Sequence, residues 1–190
     1  ISFFLIIAIP SFYFASKVTL NNDLFGFLKE GSPTVSRTQR AALKLSGPKA
    51  IFLTLKGNPG DFRSAAKLDQ LFRVSNTLNR YPEFDSVVSL ADYIALIHRE
   101  MSGGDPKDFK IPDNDPLIAQ YLLFFRRSDI QRYINADFSQ ANMIIRTNVN
   151  NSTEFNRLMD RVRDLVDSGD FGPQIYTLTG KALLVSAAVD

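Results

Sequence analysis

The residues of this chain that could do chemistry are few and widely separated. Its 190 residues include one histidine, His98, and no cysteine. The lack of cysteine excludes thiolate nucleophiles, disulfides, iron–sulfur clusters and cysteine-ligated zinc within the sequence, and a single histidine excludes multi-histidine metal sites. Because the sequence also lacks a Gly-x-Ser-x-Gly motif, we expect His98 to be a solvent-facing residue of a helix and the protein to have no enzymatic activity.

A second candidate site is a polar loop with four aspartates, Asp105, Asp108, Asp113 and Asp115. Clustered carboxylates are the ligands that Ca²⁺ prefers. The spacing does not fit an EF-hand, because Leu117 occupies a ligand position and the required glycine is missing. We therefore interpret these aspartates as residues of turns and helix caps.

Phosphate groups and nucleic acids are not expected ligands. The segment Gly57-Asn-Pro-Gly60 is too short for a phosphate loop and lacks the Gly-Lys-Ser/Thr ending, so it predicts a turn. The 22 basic and 20 acidic side chains leave a net charge of +2, which is too balanced for a nucleic-acid-binding surface. We predict no cofactor and no nucleic-acid partner.

Any site must be positioned by two strand–helix–strand units, of which the first begins at residue 50. An apolar strand over 50–57 is broken by the turn at 58–60. An amphipathic helix is predicted over 61–80, with Asp61 as its N-cap. A second strand follows over 84–90.

The second unit repeats the pattern. Polar and apolar residues alternate over 141–148 and predict a strand. Asn151 is placed as the N-cap of the next helix, with Glu154 in the capping-box position. The closing strand is predicted over 174–178. Two such units predict an α+β, ferredoxin-like βαββαβ plait with a four-stranded antiparallel sheet and two helices on one face.

The units cover 50–90 and 139–180, and a helical insertion over 91–138 separates them. Within it a helix is predicted over 115–125, capped by Asp115. This helix carries more apolar surface than a small plait can cover on one side, so we expect it to contact a hydrophobic substrate or a partner. The residues of that candidate surface are Leu117, Tyr121, Leu122, Phe124 and Phe125.

A small basic cluster follows the aromatic helix. It consists of Arg126, Arg127 and Arg132. Two interpretations remain open: a solvated charged face, or a contact with anionic lipid headgroups.

The first fifteen residues are apolar except for Ser2 and Ser11. As a helix they would extend about 22 Å, less than the roughly 30 Å of a bilayer core. We predict that residues 1–16 are the end of a transmembrane helix, with a signal-peptide core or a buried element of a soluble domain as alternatives. The expected membrane-anchoring residues are Phe3, Phe4, Leu5, Phe12, Tyr13 and Phe14. Residues 17–49 then form a linker, and 181–190 begin a helix leading to a next span.

The order of these segments resembles one known family. An apolar end is followed by the Thr/Asn/Asp stretch 18–23 and by a strand ending in Leu-Lys-Gly57. The segments 84–93 and 135–147 and the terminal Thr179-Gly180 complete the resemblance. Together they resemble the first large extracytoplasmic loop of RND-superfamily exporters, in the MMPL-type branch that includes predicted lipid and hopanoid exporters.

This resemblance implies a periplasmic porter domain over 50–180, attached to the bacterial inner membrane. It implies that the domain contacts membrane lipid and that its cargo is a hydrophobic small molecule or a lipid. It also implies that the domain associates with itself or with a periplasmic partner. The proton-motive force that drives such exporters acts through carboxylates in membrane helices that are not in this chain. The alternative is a membrane-anchored extracytoplasmic sensor or interaction domain without transport activity.

Overall fold

The structure is a computed structural model that describes residues 49–149, 151–168 and 175–180. The predictions for residues 1–16, 17–48 and 181–190 lie outside this range. The described residues form a mixed α+β arrangement of four strands and several helices. The strands are β1 (Lys49–Lys56), β2 (Phe84–Val88), β3 (Gln140–Thr147) and β4 (Ile175–Thr179).

Five α-helices accompany the strands in this part of the chain. They are α1 (Ala65–Leu78), α2 (Leu90–Met101), α3 (Asp115–Leu122), α4 (Arg127–Ile130) and α5 (Ser152–Asp167). Short 3-10 turns lie at Asp61–Arg63 and Pro106–Asp108. None of the helices in the described ranges is long and apolar enough to cross a bilayer.

The four strands form one antiparallel sheet in the order β2-β3-β1-β4. Ile51 lies opposite Ile145, and Leu53 lies opposite Met143. Directly paired residues of antiparallel strands share a face of the sheet, and these four side chains are fully buried. One face of the sheet therefore supplies the floor of the hydrophobic core, while the opposite face carries the half-exposed Phe52.

Helix α5 confirms the prediction made from its sequence. The Glu154 N–H donates to Oδ1 of Asn151 at 3.1 Å, so Asn151 is the N-cap. The apolar stripe of α5 is buried in the same core as the sheet face. Its buried residues are Phe155, Leu158, Met159, Val162 and Val166.

The predicted cap of α1 was wrong. The helix begins at Ala65 after a 3-10 turn, and its N-cap is Ser64, whose Oγ accepts from the Lys67 N–H at 3.4 Å. Asp61 instead accepts a hydrogen bond from the Asn58 N–H at 2.8 Å and closes the preceding turn. The carboxylate satisfies the nearest free backbone donor, which here belongs to the turn and not to the helix.

The predicted cap of α3 was wrong as well. Asn114 caps α3, with its Oδ1 accepting from the Leu117 N–H at 3.0 Å. The Oδ1 of Asp115 accepts from the Ala65 N–H at 2.7 Å. Asp115 thus places a carboxylate at the N-terminus of α1, fifty residues earlier in the chain, and attaches the insertion to the first strand–helix–strand unit.

Helix α2 is fixed to α1 by the half-buried carboxylate of Asp92. The Ser89 N–H donates to Oδ2 of Asp92 at 2.7 Å, and the Ser75 hydroxyl donates to Oδ1 at 2.9 Å. Burial raises the pKa of Asp92 above its ordinary value, and its hydrogen bonds with Ser89 and Ser75 oppose that rise. These bonds set the orientation of α2 and hence of Tyr93, the next residue.

The insertion returns to the sheet through a turn at Phe138, which has the left-handed φ of 58°. Its carbonyl accepts from the Phe62 N–H at 3.1 Å, and the Arg63 guanidinium lies 4.1 Å from the centre of its ring. The ring itself is buried. Packing around the ring therefore holds a backbone conformation that is costly for a bulky residue.

We expect Asp115→Ala to lower the free energy of unfolding by about 1 kcal/mol, because the first turn of α1 loses a charged acceptor. Denaturant unfolding of the chain measures this change. Hydrogen exchange at the Ala65 amide should also become faster. The control is Asp113→Ala, two residues before Asp115 and also exposed. An equal effect of both substitutions would contradict a stabilising hydrogen bond between Asp115 and the Ala65 N–H.

Candidate functional site

The connection between α3 and α4 presents apolar side chains to solvent. After α3 ends at Leu122, the Phe124 N–H donates to the Tyr121 carbonyl at 3.1 Å and the Phe125 N–H to the Leu122 carbonyl at 3.3 Å. This tight turn leaves Leu123 83% exposed and Phe124 60% exposed. We call Leu123, Phe124 and Phe125 the aromatic tip.

The five residues predicted as a hydrophobic surface have different positions in the structure. Phe124 is exposed as expected, whereas Leu117, Leu122 and Phe125 are half-buried against the core. Tyr121 is only 5% exposed, so its assignment to the surface was wrong. The helical repeat explains this result, because Tyr121 lies three residues after the fully buried Ile118 and therefore on the same side of α3.

Leu123 was missing from the predicted surface, although it is the most exposed of these residues. The apolar run Leu-Leu-Phe-Phe at 122–125 is continuous and contains no polar position. One side of a helix cannot cover four consecutive apolar residues, so this run was the signal that could have identified Leu123.

His98 is half-buried and not solvent-facing as predicted. Its Nδ1 lies 3.1 Å from the hydroxyl oxygen of Tyr121, and the two ring centres are 6.0 Å apart. The pair links α2 to α3. A buried tyrosine hydroxyl needs a hydrogen-bond partner, so this histidine has a structural role at the base of α3.

Asp105 of the polar loop acts as a turn residue, as predicted. Asp105 accepts from the Lys107 N–H at 3.0 Å and caps a 3-10 turn, and this hydrogen bond lowers the pKa of Asp105. Asp108 lies 3.8 Å from the Lys110 ammonium. Within the described ranges, no group of three or more His, Asp or Glu side chains is arranged to hold a metal ion.

A small cavity lies beside the aromatic tip. Its volume is about 270 Å³. The ring of Phe125 meets the ring of Tyr93 edge-on, with centres 6.3 Å apart, and Tyr93 stacks at a tilt on Tyr133 at 5.3 Å. The lining residues are Tyr93, Phe125, Asp129, Ile130, Arg132 and Tyr133.

Two of the residues that line this cavity, Tyr93 and Tyr133, pair through their hydroxyl groups. The oxygens of Tyr93 and Tyr133 are 3.2 Å apart. Burial, and then the hydrogen bond with Tyr93, raises the pKa of Tyr133 to about 12. The Tyr133 hydroxyl therefore stays protonated near neutral pH. The pair can hydrogen-bond a polar group that enters the cavity.

Three arginines follow the aromatic tip in the sequence. Arg126, Arg127 and Arg132 are exposed, and they form no ion pair with any residue that the structure describes. The nearby carboxylate of Asp129 accepts from the Arg126 backbone N–H at 3.3 Å and from the Ser128 hydroxyl at 3.1 Å. Asp129 is therefore the third residue of α4 in a capping box with Arg126. It leaves the segment 126–132 with three positive charges and one negative charge.

No protein-family model and no curated protein matches the chain. Its chemistry must therefore be sought in its own residues. An exposed apolar turn, a cavity with two tyrosine hydroxyls and three arginines that form no ion pair among the described residues together suit an amphipathic ligand, which has an apolar part and an anionic part.

Tyr93→Phe should lower the pKa of Tyr133 from about 12, because the Tyr93 hydroxyl is one cause of the increase. The value should stay above the ordinary 10, since burial is the larger cause and persists. Because the folded state favours the protonated hydroxyl, its contribution to stability is complete below pH 10 and is lost as the pH rises towards 12. Carbon-13 NMR titration of the tyrosine rings measures the pKa of Tyr133, and denaturant unfolding at increasing pH measures the stability.

The control for this titration is Tyr81→Phe, which removes a hydroxyl from a ring that packs on Phe84. It should leave the titration of Tyr133 unchanged. An unchanged pKa of Tyr133 in the Tyr93→Phe variant would show that the hydroxyl pair does not form.

Proposed function

We propose that this chain is the extracytoplasmic porter domain of an RND-superfamily exporter of the MMPL type, with lipids or other hydrophobic molecules as cargo. The domain binds and guides its cargo and makes or breaks no covalent bond. It faces the periplasm of a bacterial cell and is attached to the inner membrane through residues 1–16 and 181–190. Energy comes from the proton-motive force through the membrane helices of the exporter.

The order of the strands is the observation that carries this proposal. Read from one edge, the antiparallel sheet runs β4-β1-β3-β2, with α1 between β1 and β2 and α5 between β3 and β4. This order supports our inference of a ferredoxin-like βαββαβ plait, the fold that the family resemblance implies for a porter domain. The helical insertion between β2 and β3 agrees with the segment order on which the resemblance rests.

The aromatic tip is the feature that favours a hydrophobic molecule as the cargo. Exposing apolar side chains to water is unfavourable, and such exposed surfaces mark contacts with hydrophobic ligands, membranes or proteins. Leu123 and Phe124 are exposed at a turn that α3 and α4 hold in place, and Phe125 links the turn to the cavity beneath it. A hydrophobic molecule lying against this turn would be shielded from water on one side.

The polar groups at the cavity would orient such a molecule. The hydroxyls of Tyr93 and Tyr133 can hydrogen-bond its polar end, and Arg132 lines the same cavity. Apolar contacts provide most of the affinity in sites of this kind, while a few fixed polar groups determine orientation. This division of roles is the one expected for lipid cargo.

We expect the double substitution Leu123→Ser and Phe124→Ser in the complete exporter to impair cargo export strongly. The free energy of unfolding should change by less than about 0.5 kcal/mol, because both side chains are exposed. Export is measured by the amount of lipid retained at the inner membrane of cells that depend on the exporter. Stability is measured by unfolding of the purified protein.

The control is Ile175→Ser, which removes an apolar side chain that is 72% exposed on β4. It should leave export unchanged. Equal export by the double variant and the unaltered protein would refute a role of the tip in transport. Phe125→Ser is not suitable for this test, since Phe125 is half-buried against Tyr93 and its loss would also destabilise the insertion.

A further inference from the structure

We propose that the aromatic tip docks on the surface of an anionic lipid bilayer, with Leu123 and Phe124 among the acyl chains and the three arginines on the headgroups. This inference goes beyond the proposed function, because docking on a bilayer requires neither export nor a bound cargo molecule. It rests on the exposure of Leu123 and Phe124 and on the charge of the neighbouring arginines, in the connection between α3 and α4.

The apolar part of the tip suits a shallow insertion. Leu123 and Phe124 are consecutive residues in a turn, so both can enter a bilayer without unfolding either neighbouring helix. Interfacial segments typically bury their apolar side chains about 5–10 Å below the headgroups. Tyr93, whose ring contacts Phe125, is also exposed and amphipathic, as are residues at the boundary between lipid and water.

The charges next to the tip favour an anionic surface over a neutral one. Arg126 and Arg127 follow the tip directly, and Arg132 lines the cavity that contains Phe125. The segment 126–132 contains three arginines and one aspartate, so it carries a net charge of +2. Each arginine near an anionic leaflet favours docking by about a factor of five, whereas a neutral leaflet provides no such attraction.

The same charges argue against a second copy of this chain as the occupant. A symmetric contact through the tip would bring together two segments that each carry a net charge of +2. Like charges so close to an interface oppose association. A bilayer with phosphate headgroups instead supplies both complementary parts, the acyl chains and the negative charge.

The chain contains no tryptophan, so Phe124→Trp introduces a single fluorescent reporter at the tip. The full 190-residue variant is mixed with vesicles of phosphatidylcholine alone or with added phosphatidylglycerol, whose acyl chains carry bromine as a quencher. We expect a blue shift and strong quenching with the anionic vesicles and little change with the neutral ones. The matched control Ile175→Trp should remain unquenched with both, and residues 1–16 are identical in the two variants.

The role of charge is tested in two independent ways. Replacing Arg126, Arg127 and Arg132 by Gln in the Phe124→Trp chain should reduce docking about fivefold for each residue replaced. Raising the salt concentration to about 1 M shortens the Debye length to about 3 Å and should have a similar effect without any substitution.

Three results would overturn the inference. Equal quenching of the Phe124→Trp variant by neutral and anionic vesicles would remove the role of the arginines. Equal quenching of the reporters at positions 124 and 175 would mean that the tip has no special position at the membrane. A blue shift of the Phe124→Trp variant that depends on protein concentration without vesicles would assign the tip to a second copy. Each result can occur while the export defect of the Leu123/Phe124 double variant persists, so the two proposals fail separately.

Discussion

The pairing of β1 with β3 is the constraint on which the rest of the structure depends. It places Ile51 opposite Ile145 and Leu53 opposite Met143, and thereby collects four fully buried side chains on one face of the sheet. A shift of one residue in this register would expose all of them. Since β1 also pairs with β4, and β3 with β2, every strand takes its position from this central pair.

The aromatic tip is held at a fixed distance from the sheet by the elements on either side of it. Upstream, α2 is fixed by the Asp92 hydrogen bonds and contacts α3 through His98 and Tyr121. Downstream, the Asn142 N–H donates to the Tyr133 carbonyl at 2.7 Å, and its side-chain amide donates to the Arg132 carbonyl at 3.1 Å. The exposed residues therefore belong to a connection that hydrogen bonds hold on both sides.

Local periodicity was sufficient to predict the strands and helices of the two strand–helix–strand units. The strands and helices of both units lie within a few residues of the positions expected from alternation and from the helical repeat, because burial of one face imposes those periods on the sequence. The two errors in capping have a common origin. Asp61 and Asp115 are good cap residues by type, but their partners are chosen by the tertiary fold, which local sequence does not contain.

The apolar and basic character of the candidate site was predictable from the sequence, whereas the side-chain contacts that shape it were not. An apolar run next to three arginines indicated a hydrophobic and basic surface, and Phe124 is indeed exposed. Which side of α3 faces inward depends on the contact between His98 and Tyr121, two residues 23 positions apart. The hydroxyl pair of Tyr93 and Tyr133 joins residues 40 positions apart and left no pattern in the sequence.

The place of the insertion in the chain has an evolutionary consequence. It leaves the sheet after β2 and returns before β3, and these two strands are neighbours in an antiparallel pair. A hairpin of a few residues would satisfy the same geometry. Within the segment, Ile94, Ile118 and Ile134 are fully buried in the core and must be retained. The exposed connection that carries Leu123 and Phe124 can diverge while the sheet keeps its register, so a change of ligand preference at that connection would need no redesign of the core.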